Sequence, residues 1–101
     1  MNESILNSEK YIQKIIDERS RFSYHELVSY MNKMEDDIII TIEALMYLGD
    51  GGYAEFEAAY TDMKEKYDGK DKEVCHMCGK GNNGDLFISC LKKGYEMVKR
   101  C

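Results

Sequence analysis

The chain has no proline and no tryptophan, and only two of its 101 residues are histidine, His25 and His76. Without proline, the punctuation between elements has to come from glycine, asparagine and helix-capping side chains. With so few histidines and no G-x-S-x-G segment, there is little from which to build a nucleophile–base pair, so an enzyme is not expected. Long apolar runs are missing as well: the longest, residues 38–48, is about half a membrane span and includes Glu43. The opening Met1-Asn2-Glu3-Ser4 has neither a basic n-region nor an apolar h-region behind it. A cytoplasmic location with no membrane association is expected.

Positive charge is the other scarcity. Fourteen Lys and Arg face nineteen Asp and Glu, for a net charge of −5, which argues against direct nucleic-acid binding because such binding draws on cations placed against phosphates. The imbalance is uneven. Residues 1–34 hold five acids and five bases, residues 35–68 hold ten acids and two bases, and residues 69–101 hold four acids and seven bases. The central third therefore carries −8 and the last third +3. At this length a single domain over residues 1–101 is expected.

What is present is helical periodicity. Ile5, Ile12, Ile15 and Ile16 fall at helical spacing over residues 4–19, with Asn2 or Ser4 as the cap. Ser23-Tyr24-His25-Glu26 is a capping box, and Tyr24, Leu27, Val28, Met31 and Met34 form the stripe that follows it. Ile38-Ile39-Ile40 alone favours a strand, but the apolar run extends to Leu48, too long for a typical strand. Asp36 and Asp37 precede it where a helix dipole favours carboxylates, and Gly49 follows it where a left-handed cap belongs. Tyr53, Phe56, Ala59, Tyr60, Met63 and Tyr67 recur at three- and four-residue steps, a short helix is expected at 71–78, and a last one carries Leu86, Phe87, Ile88, Leu91, Tyr95 and Val98 inward. Gly94 lies on that inward face, where a missing side chain lets another helix approach. The expected fold is all-α: a compact bundle of five or six short helices around a buried central helix at about residues 36–48.

Three segments carry candidate chemistry. The acidic third offers Glu55, Glu57, Asp62 and Glu65 with Tyr53 or Tyr60 to a basic protein surface, set against the alternative of an ordinary solvated helix face. Cys75-His76-Met77-Cys78-Gly79-Lys80-Gly81 is written like a zinc knuckle, and Cys90, with His76, is the remaining candidate ligand. Cys101 lies eleven residues from Cys90, about 16 Å along a helix, too far to share an ion with it. Small buried thiols are the plainer explanation of these cysteines, and a redox role is disfavoured because the pair sits at a helix C-terminus. Gly79, Lys80, Gly81 and Gly84 match G-x-G-x-x-G before a helix, an anion cradle in form, but the strand that such a motif requires is absent.

Ile42-Glu43-Ala44-Leu45-Met46-Tyr47-Leu48-Gly49, then Phe56-Glu57-Ala58-Ala59-Tyr60, then Asn82-Asn83-Gly84-Asp85-Leu86-Phe87 through Lys93-Gly94-Tyr95 resemble a family of small helical bacterial proteins of unknown function. That family carries segments of the types E-L-x-A-L-M-W-L-G-R-G-D and N-L-G-D-Y-L-x-x-G-L. The likeness spans roughly residues 38–98. Tyr47 stands in place of the tryptophan, Asp50 in place of the arginine and Asn83 in place of the leucine. The resemblance implies helical packing and no activity, and its pattern does not include the cysteines. In size and charge the chain is also similar to anti-CRISPR-like inhibitors of bacterial defence encoded by phages and mobile elements. The expectation is a non-enzymatic interaction module that docks an acidic helical surface on a basic protein partner. The alternative is a regulatory protein that binds a small ligand or zinc through residues 75–84.

Overall fold

The computed structural model describes residues 2–18, 21–81 and 84–100. Six helices follow one another: α1 (Glu3–Asp17), α2 (Tyr24–Asn32), α3 (Asp36–Gly49), α4 (Phe56–Lys66), α5 (Lys70–Cys78) and α6 (Asp85–Lys99). Among the described residues there is no strand, and the fold is all-α as expected. No helix in them is long and apolar enough to cross a membrane.

The caps explain where the first helices start. The Asn2 side chain accepts from the Ser4 N–H at 2.7 Å, so Asn2 rather than Ser4 caps α1. Both halves of the capping box form at α2: Glu26 N–H donates to Ser23 Oγ and Ser23 N–H donates to the Glu26 carboxylate. Central α3 is covered by α6, α4, α1 and α5, which is why eleven of its fourteen residues are buried and its isoleucines face several neighbours at once. Burial on all sides also sets the local conformation, since only a helix satisfies every backbone group within itself. Thr41, the hydroxyl among these isoleucines, is satisfied by donating to the Asp37 carbonyl at 2.7 Å.

Gly49 is not the left-handed cap expected from its position. It lies inside α3, the C-cap is Asp50 in right-handed geometry, and the positive φ of 91° falls at Gly51. The missing side chain serves packing instead. A Cβ at Gly49 would stand 2.7 Å from the Gly94 nitrogen and 2.8 Å from the Cys90 carbonyl carbon, both on α6. Gly94 is the reciprocal position, as its inward placement implied.

Two smaller expectations change. The stripe from Tyr53 to Tyr67 is not one helix, because α4 starts at Phe56 and its C-cap is Tyr67, leaving Tyr53 in the connection from α3. Leu86 is 53% exposed rather than inward. The inward set of α6 is Phe87, Ile88, Leu91, Gly94 and Tyr95, and Leu86 lies one 100° step beyond its edge.

Candidate functional site

The acidic third does not form one continuous patch. Glu55 and Glu57 border a groove of about 560 Å³ walled by Ile5, Leu48, Phe56, Met97 and Val98, where α1, the end of α3, the start of α4 and the end of α6 meet. Glu57 is anchored there, accepting from the Asn2 side chain at 2.6 Å. Glu65 is exposed on α4. Asp62 lies about 140° around that helix from Glu57 at 100° per residue, and so faces a different neighbourhood.

The tyrosines are half-buried tethers rather than exposed contacts. Tyr53 donates to Asp62 and Tyr60 donates to Asp37. Tyr67 donates to Asp36 at 2.6 Å, and Tyr95 donates to Glu9 at 2.5 Å. The bonds of Tyr60, Tyr67 and Tyr95 join segments distant in sequence, that of Tyr53 spans nine residues, and each hydroxyl is held in its protonated form: the bond to Asp62 and burial push Tyr53 up to about 12. Asp62 in turn is held below its usual range by Tyr53 and by Lys66, whose ammonium is 3.1 Å away. These tyrosines therefore have an internal use, fixing carboxylates in place.

Of the candidate zinc ligands, Cys75 is exposed, Cys78 fully buried and Cys90 half-buried. Among the described residues no group of three or more His, Cys, Asp or Glu is placed to hold a metal ion. Cys78 Sγ lies 3.7 Å from Met31 Sδ, and burial, followed by the neighbouring Cys75, pushes its thiol up to about 12. Such a thiol behaves as a small apolar side chain. Cys101 lies outside the described residues.

In the glycine segment, Gly79 is the C-cap of α5 and Gly84, at φ 79°, is the N-cap of α6. Gly81, at φ 77°, faces the Asp85 carboxylate, which fills the space before the first turn of α6 with negative charge of the chain's own. Lys80 extends the other way, its ammonium 5.5 Å from the centre of the Tyr47 ring. Asn82 and Asn83 lie outside the described residues.

A second cleft, of about 450 Å³, was not anticipated from the sequence. It lies between α3, α4 and α5 and is lined by Glu43, Tyr47, Tyr53, Met63, Lys66, Lys72, Glu73 and His76. Glu43 is only 3% exposed. Burial, and then a side-chain hydrogen bond with Glu73, push its carboxyl up to about 8, with Lys80 acting weakly in the opposite sense. One turn further along each helix, the Tyr47 hydroxyl and His76 Nε2 are 2.9 Å apart. The sequence signal for this site was a lone acid inside the buried helix, together with Glu73 and His76 three residues apart on α5.

No protein-family model, no curated protein and no solved structure matches the chain.

Proposed function

We propose that the protein is a non-enzymatic interaction module that binds a basic protein partner at the groove bordered by Glu55 and Glu57. The observation that carries this reading is the joining of two features at one place: an apolar groove formed by four helices, and carboxylates on its rim. A partner that fits presents a bulky apolar side chain for Ile5, Leu48, Phe56 and Val98, flanked by Lys or Arg for the acids. Burial of the apolar anchor supplies affinity, while the charges supply orientation and encounter rate. The charge of −8 over residues 35–68 extends the same attraction beyond the groove. One concrete version is an anti-CRISPR-like inhibitor that occupies the nucleic-acid groove of a bacterial defence protein, where a basic surface is ready-made. A complex of that kind dissociates when DNA or RNA competes.

Selection from a random peptide library against the immobilised full chain tests the reading. The expected ligands carry Lys or Arg around one bulky apolar residue, weaken with added salt, and lose about tenfold or more in affinity when E55K and E57K are combined. Selected peptides that are acidic or uncharged, or that bind the doubly substituted chain as well as the native one, would overturn it.

A further inference from the structure

The cleft between α3, α4 and α5 is separate from that groove, and its chemistry differs. Two carboxyl groups from different helices, Glu43 on α3 and Glu73 on α5, line the same cleft, and Glu43 is only 3% exposed. Burial first and the neighbouring Glu73 second push the Glu43 carboxyl toward its protonated form. The walls are the side chains of Met63, Tyr47 and Tyr53. The rim carries Lys66 and Lys72, whose ammonium groups are exposed and which, among the described residues, pair one turn along the chain with Asp62 at 3.1 Å and Asp68 at 2.7 Å. Pairs this exposed are weak and are readily given up for a better partner.

We propose that this cleft binds a small zwitterion: a primary ammonium group seated between Glu43 and Glu73, an aliphatic body against Met63 and the tyrosine rings, and an anionic group at Lys66 and Lys72. Glu43, buried beside Glu73, is favoured in its protonated form in the free protein, and an ammonium can take the place of that proton because it offers three N–H donors and a full positive charge to the carboxyl oxygens. The exchange balances. The carboxylic acid and carboxylate become two carboxylates, the ligand keeps its ammonium, and one proton leaves to the buffer. The aromatic faces favour a cation over a neutral guest. The other titratable groups facing the pair are His76 and Lys72 on α5, Tyr47 on α3, Lys66 on α4, Tyr53 in the α3–α4 connection, and, near by, Lys80 and Tyr67. Of these, His76 Nε2 lies 2.9 Å from the Tyr47 hydroxyl.

Isothermal titration calorimetry of the full chain at neutral pH, run in phosphate and in Tris to count protons, tests this with three probes: 6-aminohexanoate, butylamine and hexanoate. The expected result is saturable binding of 6-aminohexanoate with close to one proton released, weaker binding of butylamine, and none of hexanoate. E43Q is expected to abolish proton release and weaken binding about tenfold or more, whereas E96Q, on α6 away from the cleft, changes neither. E73Q, at a half-buried position, gives the same readout should E43Q fail to fold. Absence of saturable binding below about 10 mM, binding without proton release, or binding that both Gln variants leave intact would overturn the proposal. Equal binding of butylamine and 6-aminohexanoate would overturn the role of Lys66 and Lys72.

Discussion

Gly49 and Gly94 meet backbone to backbone where α3 crosses α6: a Cβ built on Gly94 would stand 3.1 Å from the Gly49 nitrogen and 2.8 Å from the Leu45 carbonyl carbon. The atoms in the way are main chain on a neighbouring helix, so no side-chain rotation makes room. Gly94→Ala therefore has to push α6 off α3. The gain of about 1 kcal/mol in helix propensity from alanine is outweighed by overpacking at this crossing. A net loss of roughly 1–2 kcal/mol is expected, read as a lower denaturation midpoint at unchanged slope. Gly94→Ala as stable as the native chain would mean that the helices are not in backbone contact.

The Tyr95 hydroxyl ties α6 to α1 through Glu9 at 2.5 Å, on a side chain only 5% exposed. Tyr95→Phe keeps the ring in place and removes a bond to a charged acceptor, so a loss of about 1–2 kcal/mol is expected in chemical denaturation. Burial, with the Glu9 bond second, pushes this phenol up to about 12 from its ordinary 10.0. A raised phenol favours the folded state fully below pH 10 and loses that contribution as the pH climbs through 12. An ultraviolet titration of the phenolate band is expected to show a late-ionising tyrosine in the native chain that Tyr95→Phe reduces.

These cases also show what could be read from the chain alone. The helical identity of residues 38–48 was legible despite three consecutive isoleucines, because the run outlasts a strand and acids precede it. The close approach at Gly94 was legible because that glycine falls on an apolar face. Gly49 was not: at the end of a helix, a capping glycine and a crossing glycine look the same in sequence, and only the partner helix distinguishes them. The Glu43–Glu73 pair was hidden for a related reason. Thirty residues separate the two, and their meeting depends on how α5 is set against α3, which periodicity does not encode. Tyr53 and Tyr60, beside the acids, look like interface residues in the sequence, whereas their hydroxyls are taken up by Asp62 and Asp37 of the chain itself.

Cys75 and Cys78 sit three residues apart on α5 yet differ in reactivity. Cys75 is exposed, while Cys78 is buried and pushed up to about 12. Alkylation of the folded chain at neutral pH, mapped by peptide mass spectrometry, is expected to label Cys75 rapidly and Cys78 only on global unfolding. Equal labelling of the two would place α5 away from α2 and Met31.

Glu43 gives the folded state a distinct pH dependence. Its carboxyl is raised from 4.5 to about 8, burial first and the Glu73 bond second. Between those two values the folded chain holds a proton that the unfolded chain has released, so raising the pH favours unfolding. The slope contributed by this group approaches about 1.4 kcal/mol per pH unit inside that window and vanishes outside it. Glu43→Gln is close in shape and keeps a donor for the Glu73 carboxylate without a titrating proton. Urea denaturation across pH 5 to 8 is expected to show the native chain losing stability steadily while the variant's profile is flatter by one proton. At pH 8 the variant is expected to be the more stable by about 2 kcal/mol or more, and near pH 5 the difference closes. Parallel profiles for the two chains would mean that Glu43 is ionised in the folded protein, and the proton that a ligand displaces in the cleft would go with it.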